Sequence, residues 1–70
     1  MWRKGEIGGF DYFIKQYEKG STYGIDEGRI SKMQILKDSK IIVNYDRGWE
    51  VEPREPMVIS ACEKLLEMYN

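Results

Sequence analysis

Histidine is absent from this chain, and cysteine occurs once, at position 62. Without histidine the commonest general base is missing, and a lone cysteine allows neither a disulfide nor a conventional zinc site. Apolar runs such as Ile41, Ile42 and Val43 fall far short of a membrane span. No excess of either charge exists: the formal net is −1, and Lys and Arg are interleaved with Asp and Glu throughout. Phosphate neutralisation supplies most non-specific affinity for nucleic acid, so that class of ligand is not expected here. The first residues, Met1 to Glu6, carry a basic pair with no apolar segment behind it, so no secretory signal is expected. A free thiol fits a reducing compartment, and the expected location is cytoplasmic.

What remains is a chain of 70 residues, which makes a single domain over 1–70. A domain of that size buries only about 60% of the surface its unfolded chain exposes. Small folds supplement such a core with disulfides, a metal or a partner subunit, and composition leaves the third.

Two strand-like runs open the chain, Trp2 to Ile7 and Phe10 to Glu18, joined by Gly8-Gly9. A Gly-Gly pair supplies the positive φ angles of a tight hairpin turn. In the second run Phe10, Tyr12 and Ile14 share one face, while Asp11, Phe13, Lys15 and Tyr17 share the other. Both faces therefore carry aromatics. Lys19 to Gly28 follows as a glycine-punctuated loop, with Gly24 and Gly28 expected at positive φ or in close packing. Arg29 to Lys37 reads as a strand, Asp38-Ser39-Lys40 as a turn, and Ile41 to Val51 as one strand bulged at Gly48.

Pro56 suits the first turn of a helix. Val58, Ala61, Cys62, Leu65, Leu66 and Tyr69 then recur at helical spacing, with Glu63, Lys64 and Glu67 opposite. The expected fold is α+β, a four-stranded antiparallel sheet of β-hairpins with one C-terminal amphipathic helix packed on one face. A helix of about 14 residues covers a strip only some 20 Å long. Part of the sheet stays open.

Chemistry-bearing motifs are few. There is no phosphate-loop lysine, no Gly-x-Gly-x-x-Gly and no calcium-loop spacing, so no cofactor is expected. Cys62 sits on the apolar helix stripe, where a thiol behaves as a small hydrophobe. The acids Asp26, Glu27, Asp46 and Glu50 read as solvated loop and strand-end groups. The chain does not read as an enzyme. Two stretches stand out, YGIDEGRISKM (23–33) and NYDRGWEVEP (44–53), each setting a glycine near an arginine, an acid and an aromatic. Arg29, Lys32 and Arg47 are candidates to hold a phosphate or carboxylate, with Tyr23 or Trp49 stacking on a ring. The competing assignment pairs Arg47 with Asp26 or Glu27 and puts Trp49 in the core.

These stretches also carry a resemblance. Trp2, Gly20, Ser21, Tyr23, Gly24, Ile25, Gly28 to Lys32, Tyr45 to Trp49, Pro53 and Tyr69 are similar to the pattern of a family of small proteins of unknown function from Firmicutes and their phages or prophages. Met33 stands where that pattern has leucine, a volume-conserving exchange. The resemblance implies a bacterial or phage setting and no activity.

The leading functional expectation is a phage- or prophage-type binding protein that occupies a host or defence protein through Tyr23, Asp26, Arg29, Lys32, Arg47 and Trp49. The alternatives are an oligomeric protein that sequesters a small nucleotide ligand, and a nucleic-acid-binding accessory protein. No membrane partner is expected. Because Phe13 and Tyr17 place large side chains opposite Phe10, Tyr12 and Ile14, a homodimer through Phe13 and Tyr17 is expected as well.

Overall fold

The computed structural model describes residues 1–70. Its elements, in chain order, are β1 (Trp2–Ile7), β2 (Phe10–Gln16), β3 (Ile30–Lys37), β4 (Lys40–Asp46), β5 (Trp49–Val51) and α1 (Pro56–Tyr69). Neighbouring strands all pair antiparallel, and spatial order follows chain order from β1 to β5. The class is α+β as expected, but the sheet has five strands where four were expected.

The fifth strand comes from the Asp46-Arg47-Gly48 segment. A glycine within an alternating pattern reads as a bulge, yet here the chain reverses. Arg47 takes φ 60°, Asp46 N–H donates to the Gly48 carbonyl at 2.9 Å, and Arg47 N–H donates to Ser31 O at 3.1 Å. Trp49–Val51 therefore folds back beside β4, with Trp49 opposite Tyr45 and Val51 opposite Asn44. The other two hairpins turn where the sequence places them. Gly8 and Gly9 have φ 57° and 84°, and Asp38 and Ser39 have φ 51° and 66°, the left-handed pairs that match the twist of the flanking strands.

One face of the sheet makes the core with α1. Ile14, Met33, Ile35 and Val43 are fully buried against Val58, Ala61, Cys62 and Leu65, with Phe10, Tyr12 and Tyr45 around them. Each such aliphatic side chain contributes roughly 1.5–3 kcal/mol by leaving water. A bulge in β4 sets Leu36 opposite Ile41 and Ile35 opposite Val43, so Ile42 is the extra residue. Ile42 packs against the core and Ile41 is left exposed, so the strict alternation of the strand breaks at the bulge.

The far end of the core is closed by the 19–29 connection. Ile25 plugs it from a single 3-10 turn, Ile25–Glu27, and Ile30 is fully buried at the start of β3. The side chain of Asn70, just beyond α1, holds both ends of this plug. Its Nδ2 donates to Ile25 O at 3.0 Å and its Oδ1 accepts from Ile30 N–H at 3.1 Å. Gly24 and Gly28 have φ −78° and −92°, so the expected positive φ is not found at either. The left-handed residues are Asp26 and Glu27, at 52° and 58°. Close packing does require both glycines. A Cβ on Gly24 would fall on the Gly28 carbonyl, and one on Gly28 would fall on the Asn70 amide.

Candidate functional site

The face opposite the helix has no cover. Register fixes its membership: Trp2 lies opposite Lys15, Lys4 opposite Phe13, Lys15 opposite Lys32 and Lys32 opposite Asp46. Trp2 is 60% exposed, Phe13 41% and Tyr17 44%. The Lys15 ammonium stands between two of these rings, 5.9 Å from the Trp2 centroid and 5.5 Å from that of Tyr17. Lys15 beside the Tyr17 phenol, with Arg47 further off, favours the phenolate and brings that pKa below its ordinary value. Lys15, Lys32 and Arg47 stand toward this end, with Asp46 paired to Lys32. Glu6 and Asp11, paired across β1 and β2, mark the opposite, acidic end.

Both singled-out stretches arrive at the basic end. The Arg47 guanidinium lies 5.9 Å from the ring of Tyr23, itself 61% exposed. The Tyr45 hydroxyl donates to Tyr23 O at 2.8 Å and so ties the glycine loop to β4. Burial, with the nearby Asp26 charge, pushes the Tyr45 phenol up, which keeps it a neutral donor.

The remaining candidates divide. Lys32 ion-pairs with Asp46 at 3.7 Å across β3 and β4, on the open face. Arg29 spends its Nε on the Tyr17 carbonyl at 2.9 Å, which helps fix the entry to the loop. Asp26 is exposed and forms no ion pair with Arg47, nor does Glu27, so that structural expectation fails. Trp49 does not fill the core: pairing with Tyr45 puts it on the helix side, where its ring meets Tyr45 edge-on at 5.0 Å and stays 39% exposed. Tyr23 and Arg47 thus form one contact and Trp2, Lys15 and Tyr17 another, while Trp49 stands on the other side and Arg29, Lys32 and Asp26 do not converge on one point.

Sequence reasoning missed a cleft of about 730 Å³ at the opposite end of the molecule. Phe10, Ile42, Val51, Met57 and Val58 line it, and Lys37, Glu50, Glu52, Arg54 and Glu55 stand around it. It exists because β5 is short and α1 starts only after the Pro53–Glu55 link. Periodicity holds no signal for such a gap. Cys62 is buried in the core, its Sγ 3.7 Å from Met33 Sδ, and burial pushes its thiol up. No three or more acidic or cysteine side chains are grouped to hold a metal ion. No helix is long and apolar enough to cross a membrane.

The chain belongs to the family described as a domain of unknown function, DUF7678, whose model matches residues 1–70. No curated protein and no solved structure matches it.

Proposed function

We propose that this chain is a small non-enzymatic binding protein of the phage or prophage kind, which acts by occupying a partner protein with the basic, aromatic end of its open sheet face. The observation that carries this reading is the make-up of that end: Trp2 and Tyr17 are exposed around Lys15, and Tyr23 is exposed against Arg47. Trp, Tyr and Arg are the residue types that dominate binding energy at protein interfaces, because each offers a large rigid surface together with a polar tip. Cation–π contacts through Lys15 and Arg47 already hold these side chains in place, which lowers the entropy lost on docking.

Size argues against a small ligand at this end. The depression between Trp2, Phe13, Gln34 and Asn44 is only about 190 Å³, whereas small-molecule pockets run to roughly 300–1,000 Å³. The larger cleft is big enough, but Glu50, Glu52 and Glu55 outnumber Lys37 and Arg54 around it. That balance repels a nucleotide's phosphates. The test is native mass spectrometry of the chain purified from its host. A stoichiometric protein adduct is expected; a retained nucleotide, a nucleic acid or a bare chain would overturn the reading.

A further inference from the structure

The sheet has two edges, and only one is closed to further pairing. β5 is three residues long, its pairing with β4 is shifted, and Pro53 follows it. β1 is six residues long and pairs with β2 through its whole length without a bulge, the one ladder of the sheet with no register shift. It has no proline, and all its residues but Ile7 are exposed. Long, regular, uncovered edge strands are templates for strand addition.

The hydrogen bonds show which groups of this edge are free. Met1 and Gln16 exchange bonds at the start of the hairpin: Gln16 N–H donates to Met1 O at 2.7 Å, and the Met1 amino group donates to Gln16 O at 2.8 Å. Antiparallel ladders alternate bonded and non-bonded pairs, so Arg3, Gly5 and Ile7 bond inward to β2. Trp2, Lys4 and Glu6 therefore turn their N–H and C=O groups outward. A second β1 can pair with these groups only in registers that set even positions against even ones. Registers of that kind also keep the two helices on the same side of the joined sheet.

Charge then selects among them. Centred on Lys4, the register opposes Lys4 to Lys4; centred on Glu6, it opposes Glu6 to Glu6. Centred on Gly5, it opposes Lys4 of each copy to Glu6 of the other, twice, and each pair exchanges both backbone bonds. Gly5 also keeps the centre flat. A Cβ there would strike the Tyr12 hydroxyl, and Tyr12 is held over the strand by a 2.9 Å bond to the Tyr69 hydroxyl. We infer that β1 pairs antiparallel with β1 of a second copy, centred on Gly5, to give a twofold dimer with a continuous ten-stranded sheet.

In that dimer Phe13 and Tyr17 remain uncovered one strand in from the junction, so the edge carries the association. The two open faces become one surface with two basic ends. This pairing uses the strand edge alone and is independent of the partner proposed for the face.

Sedimentation equilibrium of the full chain from micromolar to millimolar concentration tests it, with single and swapped charges. The wild type is expected to approach the mass of two 8.3 kDa chains. Lys4→Glu and Glu6→Lys should each raise the dissociation constant about tenfold or more, since like charges then face each other twice. The double exchange, Lys4→Glu with Glu6→Lys, should restore the wild-type constant. Amide exchange adds a second readout that does not need a variant: the Lys4 and Glu6 amides should be protected at high concentration and lose protection on dilution. A wild type that stays at one chain's mass, a dimer indifferent to the single changes, or single losses that the double exchange does not rescue would each overturn the proposal.

Discussion

The two faces of the sheet carry similar side chains in opposite circumstances. On one, Phe10, Tyr12 and Tyr45 surround aliphatic residues and disappear beneath α1. On the other, Trp2, Phe13 and Tyr17 stand in solvent with Lys4, Lys15 and Lys32 among them. Aromatic content alone therefore does not mark a core. What separates the faces is the company the rings keep: aliphatic residues at every second position on one side, ammonium groups on the other. Lysine can border apolar surface while its head stays wet, so rings interleaved with lysine remain available to a partner.

The sharpest way to break this contrast is to cut into the covered face. Leu65 is fully buried, and Leu65→Ala should cost about 2–5 kcal/mol in chemical denaturation. Gly24→Val comes next, at about 1–3 kcal/mol, because its side chain would meet the Gly28 carbonyl and lift the Ile25 plug. Ser21→Ala, in the same loop, should cost far less, since Ser21 is exposed. If the two loop variants unfold alike, the plug does not close the core.

Much of this contrast is legible in the residues. Alternation assigns Phe10, Tyr12 and Ile14 to one face and Phe13, Lys15 and Tyr17 to the other, and helical spacing picks out Val58, Ala61, Cys62 and Leu65. These signals are short-range and follow the period of each element. Three features escape them because they depend on backbone conformation or on residues distant in sequence. Ile25 joins the core from a turn whose carbonyl Asn70 bonds from across the molecule. Trp49 leaves the core because Arg47, rather than Gly48, takes the left-handed conformation that reverses the chain. The glycine-rich loop looks like a binding loop, yet it plugs the core with Ile25 and turns Tyr23 out to solvent beside Arg47. Of the candidate site, Tyr23 and Arg47 lie in the two stretches that the sequence singles out, and the structure sets them 5.9 Å apart; the contact of Trp2 with Lys15 became visible only through the β1–β2 register.

Smaller effects sharpen the same contrast. Native Cys62 should react with a water-soluble thiol reagent many times more slowly than the unfolded chain does, because only the thiolate reacts and burial disfavours it. Rapid labelling of the folded protein would show that the covered face opens. Phe13→Ala, on the open face, should cost only roughly 0.2–1 kcal/mol, the scale of its cross-strand contacts with Lys4 and Gln34. Glu67→Ala, on the outer side of the helix, should fall within about 0.5 kcal/mol of the wild type.

The claim that the open face binds while the covered face folds is tested most directly by separating the two in one variant. Tyr17→Ala with Arg47→Ala removes two exposed groups of the basic end and leaves the core intact. Purified from the host beside the wild type and examined by native mass spectrometry, with unfolding followed in parallel, it should lose the partner protein while its unfolding midpoint stays close to that of the wild type. Retention of the partner by this variant, with loss from a Met57→Ala variant at the opposite cleft, would contradict the account.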